Sequence, residues 1–268
     1  MKKLTGLLMA ASVLLLGACG TGDKKADVSS GADKKEVVVG LDDTFVPMGF
    51  RDDDGNLTGF DVDLATAVFN LTDTKVTFQP IDWSMKETEL DNGTIDMIWN
   101  GYTINAEREK KVLFSDIYMK SYQILVTKKD SGIDTFDKMK DKVLGAQEGS
   151  SGYKIFTDQP EVLQDIVKDN DATLYASFNE AFIDLETGRI DGLLIDSVYA
   201  EYYLTQAKKL DQFNLIESSF EQEDYAVGVR KNDEKLATKI NDGLNELHKN
   251  GEFKKISEKW FGKDVTPN

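Results

Sequence analysis

The residues best suited to chemistry in this chain are a few charges and small polar groups placed to grip a charged molecule. In Ile98-Trp99-Asn100-Gly101-Tyr102-Thr103-Ile104-Asn105-Ala106-Glu107-Arg108 a strand-like run breaks at Asn-Gly, and an arginine follows soon after Asn105, a good helix N-cap. Positive charge is disfavoured at that end of a helix, because the macrodipole is already positive there. A guanidinium, however, presents paired N–H donors that match a carboxylate, and the first helical turn adds free backbone N–H groups at the same place. Arg108 is therefore a candidate anion-binding residue, against the alternative that Glu107 and Glu109 neutralise it on the surface. Asp196 offers the opposite charge, against the alternative that it merely caps the helix after it.

The elements that must hold these side chains alternate regularly. Val37-Val38-Val39-Gly40 reads as a buried strand, followed by a loop over 41–47 that ends at Pro47, and Asp52-Asp53-Asp54-Gly55-Asn56 is a turn. Gly59-Phe60-Asp61-Val62-Asp63-Leu64 opens a helix with Phe60, Leu64, Val68 and Leu71 on one face and acids in its first turn. A strand over 75–79, a helix over 84–90 and a strand over 95–99 complete the order β, α, β, α, β, which predicts a parallel sheet with crossover helices. The same order returns with strands at 143–146, 173–175 and 190–195, a turn into a helix at Gly149-Ser150-Ser151-Gly152, and a helix over 179–186. Leu90-Asp91-Asn92-Gly93-Thr94-Ile95-Asp96 aligns without a gap on Leu185-Glu186-Thr187-Gly188-Arg189-Ile190-Asp191, each reading helix end, glycine, strand.

Two similar α/β lobes follow. The chain is expected to cross between them near Met119-Lys120-Ser121-Tyr122, ahead of a strand over 123–127, and to return at 221–225, ahead of a strand at 225–229. Two amphipathic C-terminal helices, marked by Leu236, Ile240, Leu244 and Leu247 and then by Phe253, Ile256 and Trp260, would pack on the first lobe. The fold class is thus α/β, with two βαβ domains joined by a two-strand hinge. The expected boundaries are 36–121 with 223–268 for one lobe and 122–222 for the other.

Ligands of open parallel sheets bind beyond the carboxyl ends of the strands. Those places hold Asp42 and Phe45, Asp82 and Trp83, then Asn100, Gly101, Thr103 and Arg108; in the second lobe they hold Gln147, Glu148, Ser150 and Ser151, then Phe178, then Asp196. Phe45 and Trp83 could form flat walls, although an aromatic at a strand end is more often simply core.

Residues 1–18 read as a signal peptide, with Lys2 and Lys3 ahead of an apolar run over 7–16 that is too short to span a membrane. The run ends in Leu16-Gly17-Ala18-Cys19, which resembles the lipobox of bacterial lipoproteins; Cys19, the single cysteine, is then expected to carry a lipid. Residues 19–35 are small and polar and read as a flexible tether. Removing Lys2 and Lys3 from 32 basic residues leaves 30 against 48 acidic ones, about −18, which argues against nucleic acid or anionic lipid as a partner of the folded body. His248 is the single histidine, so zinc sites and histidine-dependent triads are excluded, and no cofactor is expected.

Over residues 37–262 the chain resembles the bacterial extracellular solute-binding family for polar amino acids, the receptor subunits of ABC importers. Gly59-Phe60-Asp61-Val62-Asp63-Leu64 is similar to the family signature. Phe69, where the signature usually has a small residue, and Met48-Gly49, where an aromatic is common, depart from it. The resemblance implies that Arg108 grips the ligand's α-carboxylate, that Asp196 holds its α-ammonium, and that Gly149-Ser150-Ser151 is the second-lobe anion loop. Phe45 and Trp83 would then flank the ligand's side chain, and Asp42, Asn100, Gln147 and Glu148 would select it.

The reading is a lipid-anchored receptor on the outer face of the bacterial cell membrane that closes on a polar L-amino acid. It would hand that ligand to a permease and its ATPase; a monomer is expected, with membrane contact through the lipid alone. Asp42, Thr44-Phe45-Val46-Pro47, Gly101 and Thr103 look most like glutamine-type members, while Asp42 and Glu148 would equally suit arginine, lysine or histidine, and a cystine receptor is a further alternative. A second class is enzymatic, since the fold also hosts dehydratase-like relatives, with Glu148 or Asp82 as an acid. A third is a surface adhesin or chemosensory partner, which the tether permits and no motif supports.

Overall fold

The computed structural model describes residues 30–267; the expected signal peptide, Cys19 and most of the tether lie outside the described residues. One five-stranded sheet has the order Lys75–Pro80, Glu36–Leu41, Met97–Ile98, Gly228–Arg230, Val112–Phe114. The other has the order Ala172–Tyr175, Leu144–Gln147, Gly192–Asp196, Gln123–Lys128, Phe213–Glu217. In each, the first three strands are parallel neighbours and the remaining pairings are antiparallel.

The sheets are therefore mixed, not wholly parallel as the βαβ order predicts. In both, the reversed strand in the fourth place is the first one after a passage between lobes. The chain arrives from the carboxyl ends of the parallel strands and has to run back from there. The passages themselves, Met119–Ser121 and Glu223–Tyr225, pair antiparallel side by side.

The internal repeat is physical as well as textual. Asp96 accepts from the Val38 N–H through Oδ2 at 3.1 Å, and its own N–H donates to the Val38 carbonyl at 2.8 Å. Asp191 does the same in the other lobe, with the Val143 N–H at 2.9 Å and the Val143 carbonyl at 2.8 Å. Gly93 and Gly188, which precede them at matching places, both have positive φ.

The helix Phe60–Asn70 buries Phe60, Leu64, Ala65, Val68 and Phe69, and the helices Glu234–Asn250 and Glu252–Phe261 pack on it. They bury Leu236, Ile240, Leu244, Leu247, Phe253 and Ile256, each contributing about 1.5 to 3 kcal/mol of apolar transfer. Asp63 locks the contact by accepting from Trp260 Nε1 at 2.8 Å. Leu71 is a correction: the helix ends at Asn70, and Leu71 beyond it is 46% exposed. The loop expected at 41–47 is partly strand, since Thr44–Phe45, Gly49–Arg51 and Leu57–Thr58 form a small antiparallel sheet, and the Val46–Pro47 bond is cis.

Candidate functional site

The carboxyl ends of the parallel strands in the two sheets face one small cavity. Asp42, Phe45, Trp83, Asn100, Gly101 and Arg108 line it from the first lobe, and Gln147, Ser150, Ser151 and Asp196 from the second. Thr103 lies just behind it, its hydroxyl 3.1 Å from Ser151 Oγ. Glu148 is not brought in: it is exposed in the turn after Leu144–Gln147, and its N–H bonds the Tyr175 carbonyl. Gln147 ends the strand facing the cleft, so the next residue turns to the other side. Asp82 is likewise exposed, capping the turn at Ser84.

Arg108 opens a four-residue helix, Arg108–Lys111, and is only 5% exposed. Asn105 acts as the cap, its Oδ1 accepting from the N–H groups of Glu107 at 3.1 Å and Arg108 at 2.9 Å. Glu107 does not neutralise the arginine; it pairs with Lys111 at 2.8 Å. The guanidinium lies over the Tyr102 ring, 4.4 Å from its centroid, and donates to the Thr103 carbonyl at 2.9 Å and across the cleft to the Gly149 carbonyl at 3.1 Å. Stacking, two carbonyls and Glu87, whose Oε1 lies 3.8 Å from Nε, fix its orientation before a ligand anion arrives.

Asp196 precedes the helix Ser197–Gln206 but makes no side-chain cap bond to it. Its Oδ1 accepts instead from Tyr225 Oη at 2.5 Å and Gln123 Nε2 at 3.1 Å. Burial raises its pKa, and the Tyr225 hydrogen bond and the Arg108 charge oppose the rise. Ser150 caps the helix Ser151–Asp158, accepting from the Tyr153 N–H at 3.1 Å, so that helix begins at the cavity wall.

Elsewhere in the cavity wall, Asp42 accepts from the Thr44 N–H at 2.9 Å and hydroxyl at 2.6 Å, and from Gln147 Nε2 at 2.7 Å across the cleft. Burial nonetheless raises its pKa, so a cationic or strongly donating group beside it would be favoured. Asn100 Oδ1 accepts from the Asp42 N–H at 3.0 Å, and its Nδ2 is buried with no hydrogen-bond partner among the described residues. Phe45 crosses the cleft to Phe178 and Tyr199, with ring centroids 5.9 and 5.6 Å away. Trp83 is both wall and core: it lines the cavity and sits edge-on to Tyr102 at 5.9 Å. Gly101 has φ of +56°, and a Cβ there would stand 2.9 Å from the Phe45 ring, so a side chain is doubly excluded.

Several residues that shape the site carry no signal of their own in the sequence. Asp61, read as a helix-dipole acid, accepts from the Gly101 N–H at 2.7 Å and Tyr118 Oη at 2.9 Å; burial pushes it up to about 7. Lys86 is buried and donates to the carbonyls of Trp83 and Gly149, each at 2.9 Å; burial, then Arg108, bring it down to about 7. Glu223 and Tyr225 from the return passage, and Gln123 from the start of the strand Gln123–Lys128, join Asp196. Among these only Asp61, inside the Gly59 to Leu64 signature, could have been singled out.

Two α/β lobes that meet over a small polar cavity, with a fixed cation from one and a buried acid from the other, define a receptor that encloses a small charged solute. The chain belongs to the bacterial extracellular solute-binding proteins, family 3, whose model matches residues 37–263. It is 35% identical over 233 residues to the L-cystine-binding protein TcyJ of Escherichia coli, covering 86% of this chain and 84% of that one. It is 30% identical to the arginine-binding extracellular protein ArtP of Bacillus subtilis, over 97% and 98% of the two chains. Among solved structures it is similar to an ABC uptake transporter substrate-binding protein of Streptococcus pneumoniae with bound histidine: TM-score 0.87, 53% identity, 88% of this chain and 96% of that one. The chain is a solute-binding protein and not an enzyme.

Proposed function

We propose that this protein captures a polar L-amino acid by closure of its lobes, 36–121 with 223–268 against 122–222, and delivers it to an ABC permease. Arg108, with Ser151 and the start of the helix Ser151–Asp158, takes the α-carboxylate. Asp196, helped by Thr103, takes the α-ammonium. The side chain lies between Phe45 and Trp83 and reaches Asp42, Asn100 and Gln147. The observation that carries this reading is that Arg108 and Asp196, from different lobes, line one small cavity that a second buried carboxylate, Asp42, also lines. Closure then follows from differential affinity, because the full set of contacts exists only when both lobes meet on the ligand.

Glutamine is the ligand type the sequence favours. Burial of Asp42 without a cationic partner among the described residues supports a side chain that donates, and the histidine-bound relative supports histidine, already an alternative beside arginine and lysine. Thermal-shift screening of the part from Lys35 onward against the twenty amino acids and cystine tests the reading, since a ligand that prefers the folded, closed form raises the midpoint. No shift with any of them overturns it.

We further propose that Cys19 carries the lipid that holds the receptor at the outer face of the membrane, on the strength of Leu16-Gly17-Ala18-Cys19. Cys19→Ser should move the protein from the membrane fraction to the soluble one; unchanged fractionation would exclude the anchor.

A further inference from the structure

Glu223 is buried on the return passage and takes no part in the site as read from the sequence. The segment around Thr103 runs antiparallel to that passage: the Ile104 N–H donates to the Asp224 carbonyl at 2.9 Å and the Ala226 N–H to the Tyr102 carbonyl at 3.0 Å. This register sets Glu223 Oε2 3.3 Å from the Thr103 hydroxyl. The same oxygen accepts from Gln123 Nε2 at 2.9 Å, and that nitrogen also stands 3.1 Å from Asp196 Oδ1 and 3.4 Å from Ser151 Oγ. An amide nitrogen has two hydrogens, so it cannot serve three acceptors at once. Which of them it serves depends on which acid carries a proton.

We propose that Glu223 is a positioning residue for the ammonium end of the site, and that it takes up a proton when the lobes shut, so that capture of the amino acid is coupled to pH. The inference rests on the proposed amino-acid reading of the same cavity. Every neighbouring element contributes to the balance. Asp196 faces Glu223 from the end of Gly192–Asp196, and Tyr225, on its own strand, donates to Asp196. Ser151 and Thr103 present hydroxyls, Gln123 its amide, and Ser121 pairs with Glu223 in the adjacent passage. Arg108 is a buried cation that acts on both acids; Lys120 on the adjacent passage is taken by Asp224 at 2.6 Å. Burial, then the Asp196 charge, push Glu223 up to about 7.

The sign follows. With the lobes apart and water at the passages, Glu223 titrates near the ordinary value of about 4.3. The shut form therefore binds the extra proton between that value and 7, and its advantage is lost as pH rises through 7. Above that pH two neighbouring buried carboxylates are both charged, and the donated bonds of Thr103 and Gln123, although stronger to the charged form, offset only part of the cost.

The experiment is calorimetric titration from pH 6 to 8.5 with L-glutamine and L-arginine, whose side chains do not titrate there, on the wild type and on Glu223→Gln. Wild-type affinity should fall about three- to tenfold from pH 6 to 8. Glu223→Gln should keep close to the pH 6 affinity and flatten the profile. A variant weakened equally at every pH, with the wild-type slope retained, would make Glu223 structural only and overturn the proposal. Titration of the wild type at pH 7 in buffers of different ionisation enthalpy needs no variant: proton uptake on binding is expected, and none would refute it. Failure of the wild type to bind any amino acid at any pH would instead strike the functional reading itself.

Discussion

Gln147 reaches across the cleft to Asp42, its Nε2 2.7 Å from Asp42 Oδ2. One lobe thereby places an amide on the buried carboxylate of the other, in the wall of the cavity. Asp42→Asn keeps the shape and removes the charge. It should weaken a cationic ligand such as arginine about ten- to a hundredfold, about 1.4 to 2.8 kcal/mol, and glutamine far less. Calorimetry with both ligands reads the difference; an equal loss for the two would show that Asp42 does not select the side chain.

Arg108 is fixed by the Tyr102 ring and by the Thr103 and Gly149 carbonyls. Arg108→Ala should cost about 2 to 5 kcal/mol of binding, the range for truncating one side of a buried charge pair. Lysine at this position restores the charge without the paired donors and should recover only part of the loss. A loss below about threefold for the alanine variant, under 1 kcal/mol, would remove Arg108 from the site.

Gly149 and Gly188 separate backbone strain from contact between lobes. Both have positive φ, +71° and +75°, but a Cβ at Gly188 meets open space, whereas one at Gly149 would stand 3.0 Å from Ser84 Cα and 3.3 Å from Lys86 Nζ. Gly188→Ala should lower stability by about 1 kcal/mol and leave affinity alone. Gly149→Ala should also lose about tenfold in affinity, because the methyl group holds the lobes apart. Thermal unfolding and titration of the two variants side by side decide it; matched affinities would mean that Gly149 plays no part in closure.

Asp96 anchors the first strand and is predicted to set part of the acid sensitivity of the fold. Burial pushes its carboxyl up, but hydrogen bonds from Lys34 at 2.7 Å and Arg230 at 2.8 Å outweigh it and hold the pKa below the usual range. A depressed value means stability that is present above the unfolded pKa of about 3.9 and lost as pH falls through the folded one. Asp96→Asn should cost about 3 kcal/mol in denaturant unfolding at pH 7 and clearly less near pH 3. The same cost at both would contradict the assignment.

The parts legible in the sequence were those written by short-range rules. Continuous apolar runs marked the strands at Glu36–Leu41 and Gln123–Lys128, and the 3.6-residue spacing marked the C-terminal helices. The edge strands Val112–Phe114 and Phe213–Glu217 went unread, being short and only partly buried, with no strong alternation to mark them. Glu148 looked like a site residue because it adjoins Gln147; a single step along the chain, at the point where strand becomes turn, takes it out of the cleft.

By itself the sequence determined the two α/β units, their repeat and the strand ends from which polar groups would project, because periodicity and turn chemistry act within a few residues. Tertiary structure alone decided that Gln123 donates to Glu223, a hundred positions away, behind the cavity, and that Lys86 and Arg108 both meet the Gly149 carbonyl. Burial and long-range register set those contacts and the proton affinities that go with them, and neither quantity exists until the lobes are folded against each other.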